Sequence, residues 1–285
     1  MTAAVLLALS SSFLFGAMTV ALRPALALGG DPLLGAFLTV LTALWVAAAA
    51  SLVGWDWELA GAWPFLVAGI LGPGLSQVLF TFAVRDAGPS RTSAAVGTAP
   101  LFAVALAVAL LDEPLVAGIV VGAVLVVAGG ALLAAERDRP AHVRVIGLLL
   151  AVSAAAVFAL RDTLVRWLSV DTAVSPPLAT LATLGSGALT IAVALLVSRR
   201  PLSLRPLRTF VPAGLMFGLS YVCLFEAVYR GRLSVVSPLV ATESLWGVGL
   251  SAVFLSRHER VGLRLLAGAV LVVAGGVAIG IAAYI

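Results

Sequence analysis

The chain has 285 residues, of which 62% are hydrophobic and only 11% charged, with a formal net charge of +4. Soluble domains are about half apolar and a quarter charged, so this composition excludes a water-soluble globule and, with so much hydrophobicity, a disordered chain. The positive charge does not point to nucleic acid, because all 17 basic residues are arginines and they flank apolar runs instead of forming a patch.

Crossing about 30 Å of hydrocarbon takes roughly 20 apolar residues in a helix. Ten such runs follow one another: residues 3–22, 33–53, 63–84, 92–111, 115–135, 145–168, 177–197, 210–228, 233–255 and 265–285. The first has no basic residue before it, its first charge being Arg23, and reads as a retained helix, not a cleaved signal. Breaker sequences separate the runs, among them Gly29-Gly30-Asp31-Pro32, Gly88-Pro89-Ser90 and Asp112-Glu113-Pro114. No alternating polarity suggests a barrel, so the expected fold is an all-α membrane protein with ten transmembrane helices.

The chain is internally repeated. Residues 83–102 lie on residues 227–246, pairing Ser90 with Ser234, Ser93 with Ser237, Val96 with Val240 and Thr98 with Thr242. Glu113 pairs with Glu259 after a two-residue insertion, and the run 122–130 (Gly-Ala-Val-Leu-Val-Val-Ala-Gly-Gly) pairs with 268–276. Upstream, Gly74 pairs with Gly218, Ser76 with Ser220 and Phe15 with Phe158. Residues 1–140 and 141–285 therefore each hold five spans. An odd number forces opposite orientations, and inverted repeats are a hallmark of secondary transporters.

Two five-helix repeats, each with a fourth helix, an acidic turn and a glycine-rich fifth helix, resemble the EamA-type branch of the drug/metabolite transporter superfamily. Residues 95–113 with 118–130, and 239–259 with 262–276, carry the likeness. The resemblance implies an exporter of amino acids or other small metabolites in a prokaryotic inner membrane, driven by exchange or an ion gradient. It also implies a central cavity within the first four helices of each repeat, and a peripheral fifth helix (the fifth or tenth of the chain) that makes homodimer contacts.

Arginine asymmetry sets the orientation. Arg23, Arg85, Arg91, Arg137, Arg139, Arg144, Arg199, Arg200, Arg205, Arg208, Arg257, Arg260 and Arg264 fall on one side, and Arg161, Arg166, Arg230 and Arg232 on the other. The first side is expected in the cytoplasm and both termini outside. Trp55, Trp57 and Trp63 read as interfacial anchors.

Charges at membrane depth are costly and usually face a cavity or a partner. Glu243, in the ninth run, has Ala99 as its repeat counterpart. It is expected to bind substrate or carry a proton, unless it is a structural carboxyl bonded to Thr242, Ser244 or a neighbouring helix. Trp246 beside it offers stacking or simple apolar contact. Arg161, Asp162 and Glu226 form a second group whose counterparts for Arg161 and Glu226 are Met18 and Phe82. It reads either as a structural ion pair or as a substrate clamp. Gly72-Pro73-Gly74 with Ser76 and Gln77, and the equivalent Gly218, Ser220 and Tyr221, offer a kinked helix lining a cavity or close packing. Gly118, Gly122, Gly275 and Gly276 read as packing surfaces.

Three function classes remain: a secondary transporter of a small solute; a lipid or lipid-linked carrier or scramblase, or a structural subunit working only with partners; and an intramembrane enzyme. The last lacks a nucleophile elbow, metal spacing or an intramembrane histidine. With one cysteine and two histidines, His142 and His258, in polar stretches, no metal or other cofactor is expected. An ATP-binding loop needs a lysine, and the chain has none. The expected partners are the small-molecule substrate and the lipid bilayer.

Overall fold

A computed structural model describes residues 2–54, 61–111, 117–134, 144–169, 172–231, 236, 239–255 and 262–282. Outside them lie the acidic turns with Glu113 and Glu259, Trp55 and Trp57, both histidines, Ser234 and Ser237. Arg137, Arg139, Arg232, Arg257 and Arg260 also lie outside. All regular structure among the described residues is helical: α1 (Thr2–Ala27), α2 (Pro32–Gly54), α3 (Trp63–Gly69), α4 (Ser76–Ala87), α5 (Pro89–Val96), α6 (Ala99–Leu111), α7 (Ala117–Ala134), α8 (Val145–Ser169), α9 (Pro176–Val197), α10 (Leu207–Arg230), α11 (Glu243–Phe254) and α12 (Leu263–Ala282). Among the described residues six stretches are long and apolar enough to cross a membrane: α1, Pro32–Val53, Trp63–Ala87, α8, α9 and α10. A helix suits lipid because it satisfies its own backbone.

Three of the expected spans are broken. Between α3 and α4 the chain makes a wide turn in which Gly72 is extended, at φ −141° and ψ 116°. Pro73 removes a backbone N–H and pushes the residue before it out of the helical region. The fourth span, expected as one helix, starts at Pro89 and is interrupted at Gly97-Thr98 between α5 and α6. The ninth is interrupted at Ala241-Thr242, where α11 begins. These two breaks fall on repeat-matched threonines and share one geometry. Thr98 Oγ1 donates to the Ala95 carbonyl at 2.7 Å and Thr242 Oγ1 to the Leu239 carbonyl at 2.6 Å. The amides of Thr98 and Thr242 donate to those same carbonyls. A threonine hydroxyl that bonds locally competes with the helix ladder, and Pro100 adds a missing donor on the first-repeat side.

The helices pack as two interlocked groups. In one, α1 packs against α10 and α11, and α10 against α2; in the other, α8 packs against α4, α5 and α6, and α9 against α3 and the wide turn. Contacts of α2 with α9 and of α11 with α5 join the groups. Every pairing in the first group has a counterpart in the second between repeat-matched spans. Small residues permit the approach: a Cβ on Gly218 would lie 2.9 Å from Ala43 Cα, and one on Gly147 2.7 Å from the Ala87 amide.

The glycine-rich helices α7 and α12 stand at the side and pack antiparallel on each other. A Cβ on Gly129 would come 2.7 Å from the Gly268 carbonyl oxygen, and one on Gly275 2.6 Å from that of Gly122. The two contacts exchange repeat-matched residues, as a local two-fold relation requires. Gly275→Val is therefore expected to lower stability by about 1–3 kcal/mol through overpacking. Thermal unfolding in detergent checks this, and an unchanged midpoint would contradict the close contact.

Arginines gather at one end of the bundle. Arg23 Nη1 donates to the Arg85 carbonyl at 3.3 Å, Arg85 pairs with Asp86 at 2.7 Å, the Arg144 amide donates to the Asp86 carbonyl at 2.7 Å, and Arg200 pairs with Asp31. At the other end Arg166 Nη1 donates to the Val228 carbonyl at 3.0 Å, and Gly231 packs against Ala4. Arg91, expected beside the fourth span, is buried within α5. Arg161, expected within the sixth span, is buried inside the bundle on α8.

Candidate functional site

A cavity opens where the two helix groups meet. Ser11 and Phe15 of α1, Phe158, Arg161 and Asp162 of α8, and Ser220, Tyr221 and Leu224 of α10 line it. The breaks complete the wall, with Val96, Ala99 and Pro100 from one repeat and Val236, Val240, Ala241 and Glu243 from the other. The N-terminal ends of α6 and α11 therefore both reach the cavity. Interrupted helices at a midplane site are how transporters expose backbone polarity to a solute. Phe15 and Phe158, matched in the repeat, meet edge to face at 5.7 Å between ring centres.

Arg161 is 3% exposed and is held from three sides. Its Nη1 donates to the Tyr221 hydroxyl, its Nε lies 2.7 Å from Asp162 Oδ1, and the guanidinium sits 4.9 Å from the Tyr221 ring centre and 5.3 Å from that of Phe158. The planar fork suits such combined stacking and pairing. Asp162 retains 25% side-chain exposure, so part of its carboxylate faces the cavity. Above the cluster Ser11 and Ser220 hydroxyls bond each other at 3.0 Å, linking α1 to α10.

Glu243 is the first residue of α11 and is 7% exposed. The hydroxyls that would fix it as a structural carboxyl spend their donors elsewhere. Thr242 Oγ1 donates to Leu239 O and lies 3.0 Å from Ser12 Oγ, while Ser244 Oγ donates to Ala241 O at 2.9 Å. One guanidinium and two carboxyls, Asp162 and Glu243, thus share a chamber whose other lining residues are uncharged.

The remaining candidates lie elsewhere. Trp246 is 43% exposed and packs edge to face on Phe13 at 5.2 Å, outside the lining. Glu226 pairs with Arg230 one helical turn on, at 2.6 Å, and not with Arg161. Ser76 and Gln77 are fully buried beside the wide turn, and neither lines the cavity. Gln77 Nε2 approaches Met18 Sδ at 4.0 Å. That contact is the first-repeat counterpart of Arg161 with Tyr221, with a thioether and an amide where the second repeat has a cation and a phenol. Ser11 and Phe15 also line the site. The signal for Ser11 was the hydroxyl run Ser10-Ser11-Ser12 inside an apolar span.

The cavity measures about 40 Å³, room for a few waters.

A polytopic helical bundle with a charged chamber at its broken helices defines a membrane transporter by architecture. The sequence matches the EamA-like transporter family twice, over residues 2–135 and 145–281. The chain belongs to that family, and so to the drug/metabolite transporter superfamily, as a multi-pass membrane transporter. No curated protein matches it. It is similar in fold to a solved structure described as "Crystal structure of protein", at 20% identity, covering 100% of this chain and 98% of that one, with a TM-score of 0.70.

Proposed function

We propose that the protein is a secondary active exporter of a small metabolite, such as an amino acid or a related solute, in the inner membrane of a prokaryotic cell. The observation that carries this reading is the chamber with Arg161 facing Asp162 and Glu243 amid Phe15, Phe158 and Leu224. A guanidinium complements a carboxylate, a carboxylate complements an ammonium, and the aromatic wall accepts an apolar side chain. A gradient supplies the energy, since the chain has no lysine for a phosphate-binding loop.

In this reading ten spans form two inverted five-helix repeats, residues 1–140 and 141–285. The matched breaks at Thr98 and Thr242, and the matched contacts of Gly129 and Gly275, support it. A homodimer through α7 or α12 would use their outer faces, where Val120, Val124 and Val270 are exposed, because the glycine faces are filled within the chain. A panel of radiolabelled metabolites in reconstituted vesicles tests the function. Saturable, counter-solute-dependent flux of one class is the expected result. Movement of labelled lipid with no solute flux would replace this reading with that of a scramblase.

Both termini are proposed to face outward, with the Arg199 to Arg208 loop in the cytoplasm. The grouping of Arg23, Arg85, Arg144 and Arg200 at one end supports this. Ser203→Cys in a Cys223→Ala background should resist an impermeant thiol reagent in intact cells and react in inverted vesicles. The reverse pattern would overturn the orientation.

A further inference from the structure

Arg23 and Arg166 occupy matched places. Each lies eight residues beyond its repeat's cavity phenylalanine, Phe15 or Phe158. Each reaches a backbone carbonyl two residues before the end of a helix: Arg85 O near the end of α4 and Val228 O near the end of α10. In both helices the neighbouring carbonyl is taken by the capping glycine, the Gly88 amide bonding Val84 O and the Gly231 amide bonding Ala227 O. The carbonyls met by the arginines are among the last four of their helices, which have no intrahelical partner.

The bonds also cross between the helix groups, and in opposite senses. Arg23 belongs to α1 of the first group and reaches α4 of the second, whereas Arg166 belongs to α8 of the second and reaches α10 of the first. At 1.5 Å per residue each arginine lies about 12 Å from the paired phenylalanines, on opposite sides of the chamber. We propose that Arg23 and Arg166 are paired latches, one at each mouth of the cavity, and that transport proceeds by releasing them alternately. With both bonds made, the groups are pinned together at both ends, which matches the narrow chamber. Release of Arg23 parts α1 from α4 and opens the arginine-rich mouth; release of Arg166 parts α8 from α10 and opens the other. The inference rests on the transporter reading and on the orientation proposed above.

The test reads access to the chamber without a substrate. Ala99→Cys in the Cys223→Ala background places one thiol on the cavity wall, and an impermeant thiol reagent is applied to right-side-out and inverted vesicles. Arg23→Gln is expected to raise labelling from the cytoplasmic face roughly tenfold or more, the ratio that loss of one charge-assisted hydrogen bond commands, and to leave or lower labelling from outside. Arg166→Gln is expected to give the mirror result. If either variant does not fold, Arg23→Lys and Arg166→Lys keep a charge and a donor without the planar fork, and should show the same sidedness at smaller amplitude. Equal change at both faces, or lowered thermal stability with unchanged labelling, would reduce both arginines to helix caps and overturn the proposal. Sided labelling in a protein that moves no solute would instead leave the latches standing and defeat the transport reading.

Discussion

Glu243→Gln is expected to fold and insert normally and to lose transport, or the dependence of transport on pH. The side chain stands at the start of α11 on the cavity wall, and its repeat counterpart Ala99 stands at the start of α6 in the same local geometry. The helix break thus forms without a carboxyl, so the carboxyl is not there to build it. An intramembrane acid is costly unless it serves a site. The hydroxyls beside it, on Thr242 and Ser244, donate to backbone carbonyls. Glutamine keeps the size and the hydrogen-bonding capacity while removing the exchangeable proton and the charge. If Glu243 served only as a hydrogen-bonding group, uptake would fall by less than about fivefold, the worth of one such bond. A coupling or ammonium-binding role predicts a fall of about tenfold or more, or a flat profile from about pH 5 to pH 8 where the wild type varies. Vesicle uptake of the identified solute across that range decides it, with wild-type rates and profile in the variant ending the proposal.

Six of the expected spans are long apolar helices among the described residues, and they were legible because length and hydropathy are enough to find a membrane helix. The breaks were harder. Hydropathy is blind to backbone hydrogen bonding, so residues 92–111 and 233–255 read as continuous, although Thr98 and Thr242 are where the ladder stops. In the site, Arg161, Asp162, Tyr221 and Glu243 stood out as polar groups at membrane depth, and all four line the cavity. Proximity along the chain put Trp246 beside Glu243, yet α11 starts at Glu243 and turns the indole out onto Phe13. Glu226 has Arg230 four residues on, a helical neighbour by spacing alone, and that pair is the one formed. The bond of Ser11 to Ser220 spans 209 positions, and no local pattern encodes it. The repeat offered the one long-range guide, since it already aligned Ser220 with Ser76 and Phe15 with Phe158.

The same repeat supplies the second large expected effect, Arg161→Met. Met18 occupies the matched position in the first repeat and packs against Gln77 as Arg161 packs against Tyr221. Methionine is therefore a residue this fold accommodates at that register, flexible enough to fill the space between Phe158 and Tyr221. Removing one member of a buried ion pair usually costs about 3–5 kcal/mol, because the other charge is stranded. Asp162 lines the cavity and keeps 25% side-chain exposure, so water relieves it in part, and the net loss of stability should fall below that range. Transport should respond far more. A carboxylate that loses two bonds to a guanidinium forfeits about 1.5–3 kcal/mol for each, so the apparent KM for a carboxylate-bearing solute should rise roughly a hundredfold or more. Arg161→Lys restores the charge without the bidentate fork and should fall between the two. Arg230→Met, at the exposed pair with Glu226, controls for loss of a cation as such and should leave uptake unchanged. Concentration-dependent uptake in vesicles, alongside thermal unfolding of each variant, separates the binding effect from misfolding. A folded Arg161→Met protein that takes up the solute with the wild-type KM would show that the guanidinium braces α8 against α10 and never meets the substrate.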